Sequence, residues 1–263
     1  MTEAPQPPAW TLPRNPFKAA IAAGRQQIGL WCSLPSAFAA EIIAPAGYDW
    51  LLFDTEHSPS SVPIVMSQLQ VAARYPVAPA VRASTNDPDQ IKRLLDIGTL
   101  TLFVPYVQSA AEARQVVAAT RYPPAGIRGV SGMTRANYFG RVPDYIRDAA
   151  SELCVIVQVE TQTALDEIEA IAAVDGVDGI FIGPADLSTS LGFAGNQSEP
   201  RVQAVILETI QRIRAAGKPA GILTLDTAFA RRCIEAGTVF TAVGIDAAML
   251  ARGSDALRQA FKS

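Results

Sequence analysis

From about residue 27 onward the sequence alternates between short apolar runs rich in β-branched residues and stretches with apolar residues at helical spacing. The runs fall at 27–34, 50–55, 77–84, 101–107, 219–225 and 240–246, with two more inside 153–192. Strand-then-helix order of this kind admits few folds, because a strand that returns parallel to its predecessor needs a crossover, usually a helix. Eight such units in about 240 residues predict an α/β fold, a single-domain (β/α)8 TIM barrel, with its chemistry at the C-terminal ends of the strands. A doubly wound open sheet is the competitor. It would normally carry a glycine-rich dinucleotide turn after its first strand, and here that turn reads SLPSAFAA.

Three segments stand outside the alternation. Residues 15–25 predict a short helix capped by Asn15, with Pro16 in its first turn. Residues 1–14 are proline-rich and predict a flexible or extended arm, which leaves 15–263 as the folded domain. Residues 123–152 are too long for an ordinary connection and too apolar for disorder, and loops of that kind are usually functional.

Composition narrows the partners. A formal net charge of −3 with no basic run argues against nucleic acid or an anionic membrane. No uncharged apolar stretch reaches the length a transmembrane helix needs, and the N-terminus lacks the basic-then-apolar pattern of a secretory signal. Cys32, Cys154 and Cys233 are odd in number, widely spaced and set in apolar surroundings, which predicts reduced, buried thiols in a cytoplasmic protein.

In a barrel the residues that matter stand where strands end. The second strand ends in Asp54-Thr55-Glu56-His57, the third in Arg82, the fifth in Gln158-Val159-Glu160, the sixth in Gly183-Pro184-Ala185-Asp186 and the eighth in Asp246. Each has a structural alternative: Glu160 and Asp186 as helix caps, Arg82 as the partner of a nearby acid, His57 as a satisfied loop residue. Together they place polar groups on one rim of an apolar barrel. Two carboxylates without a cysteine or a second histidine suit a hard cation such as Mg²⁺ or Mn²⁺ better than zinc. A 2-oxo acid would supply a bidentate ligand through its keto and carboxylate oxygens. The N–H groups of Ala185 and Asp186, opening a helix, are suited to a substrate carboxylate. Arg82 is suited to an enolate oxygen, and His57 to the role of base, directly or through a water on the metal. None of the four lysines, Lys18, Lys92, Lys218 and Lys262, falls at the C-terminal end of a predicted strand, which argues against an imine mechanism.

The segments YDWLLFDTEHSP, RLLDIGTLTLFVPYV, RYPPAGIRGV, VQVETQTALD and VDGIFIGPADLSTSLG resemble the HpcH/HpaI family of metal-dependent class II pyruvate aldolases, over residues 15–262. The resemblance implies an aldehyde-lyase that reversibly cleaves 4-hydroxy-2-oxo acids to pyruvate and an aldehyde through a metal-bound pyruvate enolate. It implies His57 as catalytic base, Asp96 in LLDIG as the acid that pairs with it and raises its basicity, and Arg82 as the group that stabilises the enolate. Glu160 and Asp186 are implied to hold Mg²⁺, Mn²⁺ or Co²⁺, while Gln158, Gly183, Pro184, Ala185, Asp186 and Leu223 contact substrate. It further implies a homohexamer, a trimer of dimers with the last helix swapped between subunits. Departures occur at Ser131 in the long loop and at Thr224-Leu225-Asp226, where the aldehyde acceptor is expected. Two other functions compete. An acyl-CoA lyase of the citrate-lyase β type would use Arg121, Arg128, Arg135 and Arg141 for the nucleotide. A non-catalytic 2-oxo-acid-binding protein would not need His57.

Overall fold

The computed structural model describes residues 10–262. Eight strands, β1 (Gln27–Cys32), β2 (Trp50–Asp54), β3 (Ala78–Arg82), β4 (Thr101–Val104), β5 (Cys154–Val159), β6 (Gly179–Ile182), β7 (Ala220–Leu223) and β8 (Thr238–Ile245), close in sequence order into a barrel. Neighbours are parallel throughout, β8 returning to β1, so the expected barrel is the fold. β1 stops two residues short of its apolar run. Ser33 and Leu34 turn their N–H groups to the Asp246 carboxylate instead of the ladder.

Strand alternation sorts the side chains into two cores. Leu51, Phe53, Val81, Leu102, Val155, Val157, Ile180 and Ile182 face outward and are covered by the helices. Trp31, Trp50, Leu52, Ala80, Phe103, Ile156, Phe181 and Phe240 fill the interior. Its rings interlock, with Trp50 stacked on Phe103 at 5.7 Å and Phe103 edge-on to Phe181 at 5.4 Å. Gly221 makes that possible, since a Cβ there would overlap the Phe240 ring. Phe17 and Ile21, from the helix Pro16–Ala22, join this interior core. Asn15 caps that helix as expected, accepting from the Lys18 N–H at 3.0 Å, and its amide ties the cap to Leu100 and Thr101 beside β4.

The described part of the predicted arm runs without helix or strand and lies against the domain. Residues 10–14 are docked: Trp10 lies 4.8 Å from the Tyr138 ring, Leu12 packs on a small cluster around Tyr122 and Tyr145, and Arg14 pairs with Glu152 at 2.7 Å. Two apolar side chains against an aromatic surface favour the extended alternative over these five residues. Residues 1–9 of the arm lie outside the described residues. The long loop is ordered by the same cluster and by short turns at Arg135–Asn137, Tyr145–Asp148 and Ala149–Ser151. It joins the end of the helix Ala110–Thr120 to the start of β5, which puts it at the N-terminal end of the barrel. The last helix, Asp246–Gln259, leaves Met249, Leu250 and Leu257 exposed. Among the described residues no helix is long and apolar enough to cross a membrane, and all three cysteines are free and buried.

Candidate active site

The inward parity that builds the aromatic interior continues one step further on several strands, and there it changes from apolar to polar. Trp50 and Leu52 lead to Asp54 on β2, Ala78 and Ala80 to Arg82 on β3, and Cys154 and Ile156 to Gln158 and then Glu160 at the end of β5. With Gly183 after β6 and Leu223 on β7, these residues line one cavity of about 720 Å³ at the C-terminal rim. His57, Pro184, Ala185 and Asp186 line it as well. Every expected site residue except Asp96 is therefore brought to one place.

Arg82 is fixed by register. Asp54 and Arg82 are direct partners on adjacent strands, and the carboxylate takes Nε at 2.8 Å and Nη2 at 2.6 Å. Trp31 completes the seat, with its ring 4.8 Å from the guanidinium carbon and its Nε1 donating to Asp54 at 3.3 Å. Burial works to raise the Asp54 carboxyl, but the bonds and charge of Arg82 outweigh it and hold that carboxyl below the ordinary aspartate value. Asp54 is thus the anchor of Arg82, a role its place in DTEH does not reveal.

Glu160 is buried and held at both oxygens, by the Tyr106 N–H at 2.8 Å and by Gln158 Nε2 at 2.5 Å. Tyr106 reaches it from a left-handed backbone (φ 58°), a conformation disfavoured for a tyrosine and often tolerated at functional sites. Burial raises the Glu160 carboxyl from 4.5 to about 7; Glu56 and Asp186 push the same way, and the bonds from Gln158 and Tyr106 oppose it. Gly183 is required beside it, because a Cβ there would overlap Glu160 Oε2. The capping alternatives fail for both acids. Thr161 caps the helix Gln162–Asp166 by accepting from the Ala164 N–H, and Gly183 occupies the cap position of the helix Pro184–Ser190. Pro184 has no N–H, so the first free donors of that helix are those of Ala185 and Asp186.

These residues fit a hard divalent cation. Glu160 is a buried carboxylate with excess negative neighbours, the situation that added positive charge relieves, and Gln158 Oε1 is buried without a partner beside it. No three His, Cys, Asp or Glu side chains cluster closely enough to hold a metal among the described residues. A cation on Glu160 and Asp186 would therefore draw its remaining oxygen ligands from water and substrate, the habit of Mg²⁺.

Two of the expected residues lie away from the cavity within the single chain. Asp96 ends the helix Pro88–Asp96, which runs back from the rim by about 13 Å at 1.5 Å per residue, to the opposite end of the barrel. Its carboxylate pairs with the fully buried Arg128 at 2.7 Å, whereas the acid beside His57 is Glu56, at 3.9 Å. Ser131 is exposed at that same far end, away from the cavity, while Thr224, Leu225 and Asp226 do line it. The four arginines at and beside the long loop are also remote from the cavity and already engaged. Arg121 pairs with Asp175, Arg128 with Asp96, Arg135 donates to the Ile97 carbonyl and Arg141 to that of Tyr138. The support for a nucleotide pocket falls with them. Asp246 serves structure, receiving the N–H and hydroxyl of Ser33.

Comparison with known proteins agrees with this fold. Residues 27–252 match the family model of HpcH/HpaI aldolase/citrate lyase. A pyruvate aldolase of Rhizobium etli is 60% identical over 250 residues, covering 95% of this chain and 98% of the relative. A 4-hydroxy-2-oxo-heptane-1,7-dioate aldolase of Salmonella arizonae is 55% identical over 249 residues, covering 94% and 95%. A crystal structure of an HpcH/HpaI aldolase/citrate lyase family protein from Burkholderia cenocepacia superposes with a TM-score of 0.90 at 41% identity, over 95% of this chain and 100% of that one. The strand-end residues therefore stand in the scaffold of relatives named as aldolases, and the chain belongs to the HpcH/HpaI aldolase/citrate lyase family.

Proposed function

We propose that this protein is a class II aldolase that reversibly cleaves a 4-hydroxy-2-oxo acid into pyruvate and an aldehyde. The observation that carries the reading is the convergence, in one cavity, of an exposed imidazole, a fork-anchored arginine, two carboxylates and a helix opening with free N–H groups. The Ala185 and Asp186 N–H groups hold the substrate carboxylate. His57 removes the proton of the C4 hydroxyl, the C3–C4 bond breaks, and C4 leaves as the aldehyde carbonyl. The bonding pair moves onto the C2 oxygen as an enolate, opposite Arg82 Nη1, and protonated His57 returns its proton to C3 to form the pyruvate methyl group. A divalent cation on Glu160 and Asp186, Mg²⁺, Mn²⁺ or Co²⁺, would act there as a Lewis acid toward the 2-oxo group.

Solvent exchange of the pyruvate methyl protons tests this directly. NMR in D2O is expected to show exchange that needs a divalent cation and that His57→Gln slows by about 10²-fold or more. Binding of pyruvate without exchange would instead make the chain a 2-oxo-acid-binding protein.

The reading extends to assembly. Asp96 can serve His57 only from another copy, and the apolar Ile127, Val130 and Met133 are exposed on the loop at its end of the barrel. Together with the exposed apolar residues of the last helix they support a homo-oligomer, a trimer of dimers with that helix exchanged. Light scattering is expected to return a hexamer, and a monomer with full activity would refute the assembly. Free, buried thiols support a reducing, cytoplasmic compartment.

A further inference from the structure

Glu56 stands between the two groups that carry the chemistry. Its N–H donates to Asp54 Oδ1 at 3.0 Å, which turns the chain after β2 and brings the side chain to both Arg82 and His57. Oε2 lies 2.6 Å from Arg82 Nη1 and 3.9 Å from His57 Nε2, is buried, and makes a hydrogen bond to neither. The arginine contact is close but misaligned for donation. Nε and Nη2 of Arg82 are already bonded to Asp54, so Nη1 is the arm left for a substrate oxygen. The buried oxygen is thus held at Arg82 by charge and not by an aligned hydrogen bond, a contact that a competing substrate oxygen can displace. Glu56 also borders a second cavity of about 420 Å³, shared with Ser84, Asn86, Tyr106 and Glu112, which leaves its side chain room to turn.

We propose that Glu56 is a positioning carboxylate that changes partner during turnover, leaving Arg82 when the substrate oxygen takes Nη1 and settling on His57. This rests on the aldolase reading of the site. Charge explains the exchange. With Asp54 and Glu56 both at Arg82, the three groups already sum to one negative charge. Cleavage creates an enolate at Arg82 and an imidazolium at His57 in the same step, so the carboxylate is repelled from the first and attracted to the second. The charged groups facing Glu56 are Arg82, His57, Asp54 and Asp186, with Glu160 and Glu112 nearby. Burial raises the Glu56 carboxyl, and the Arg82 and His57 charges pull it back.

His57 is the only histidine in the chain, so a single imidazole Hε1 resonance reports on it. The experiment titrates that resonance in the Mg²⁺-loaded enzyme with and without oxamate, an unreactive 2-oxo acid analogue. Oxamate is expected to raise the titration midpoint by roughly one pH unit in the wild type and to leave it unmoved in Glu56→Gln. In turnover, Glu56→Gln is expected to lower kcat by about 10- to 100-fold. The acidic limb of kcat, which reports the substrate complex, should move to lower pH while that of kcat/KM stays, a split that a merely structural role would not produce. Oxamate that binds the wild type without moving His57 overturns the proposal, as does a shift that survives in Glu56→Gln but vanishes in Asp96→Asn. Oxamate that fails to bind the Mg²⁺-loaded wild type refutes the aldolase reading itself, and this inference with it.

Discussion

Glu160→Gln is expected to lower kcat for aldol cleavage by about 10³-fold, the upper range for losing one preorganised electrostatic group. The side chain keeps its size and its bond to the Tyr106 N–H, while Gln158 must turn its unpartnered amide oxygen toward the new NH2 group, so the main loss is the charge. Steady-state assays across Mg²⁺, Mn²⁺ and Co²⁺ check this, and wild-type turnover after exhaustive chelation would show that no cation acts at Glu160. The same residue predicts a pH signature in the metal-free protein. Its folded carboxyl sits at about 7, above its ordinary value of 4.5, so between those values the folded state holds a proton that the unfolded chain has released. Stability contributed by the protonated form is complete below about 4.5 and is lost as pH rises toward 7. Cation affinity should rise through the same window, because the ligand must be ionised. Denaturant unfolding at a series of pH values should show that slope in the wild type and a flatter one in Glu160→Gln.

Arg82→Ala is expected to fail twice. Asp54, buried and deprived of its partner, would carry an uncompensated charge, costing about 3–5 kcal/mol of stability. Loss of Nη1 opposite the enolate would cost a further ~10²–10³-fold in kcat. Arg82→Lys separates the two effects, since it returns a positive charge to Asp54 but not the fork that bonds Nε and Nη2 while leaving Nη1 for substrate. It should recover much of the stability and little of the activity. Wild-type kcat in either variant would remove Arg82 from the mechanism.

How far the site could be read before the fold differed from residue to residue. Strand-end position was enough for Arg82, Gln158, Glu160 and Asp186, because inward parity and the C-terminal rim follow from alternation alone. Tyr106 was not legible, since its part depends on one backbone N–H aimed by a left-handed φ, and no residue type announces that. Asp54 and Glu56 were visible only as members of DTEH; which of them anchors Arg82 follows from the β2–β3 register. A signal was available for Asp96 and Ser131. Asp96 closes a helix and Ser131 follows one, both ahead of the next strand, and every such helix-to-strand connection in a barrel lies at the end opposite the chemistry.

The order of apolar runs and helical stretches by itself determined the barrel, its catalytic rim and the residue types gathered there, because parallel closure sends every strand end to the same side. Tertiary structure alone decided how those residues share their charges. Arg82 is gripped by Asp54 through register, Glu160 is driven up to about 7 by burial, and Glu56 is left between a guanidinium and an imidazole. Those outcomes depend on distances of a few ångströms and on exclusion of water, quantities set only when strands from distant parts of the chain come side by side.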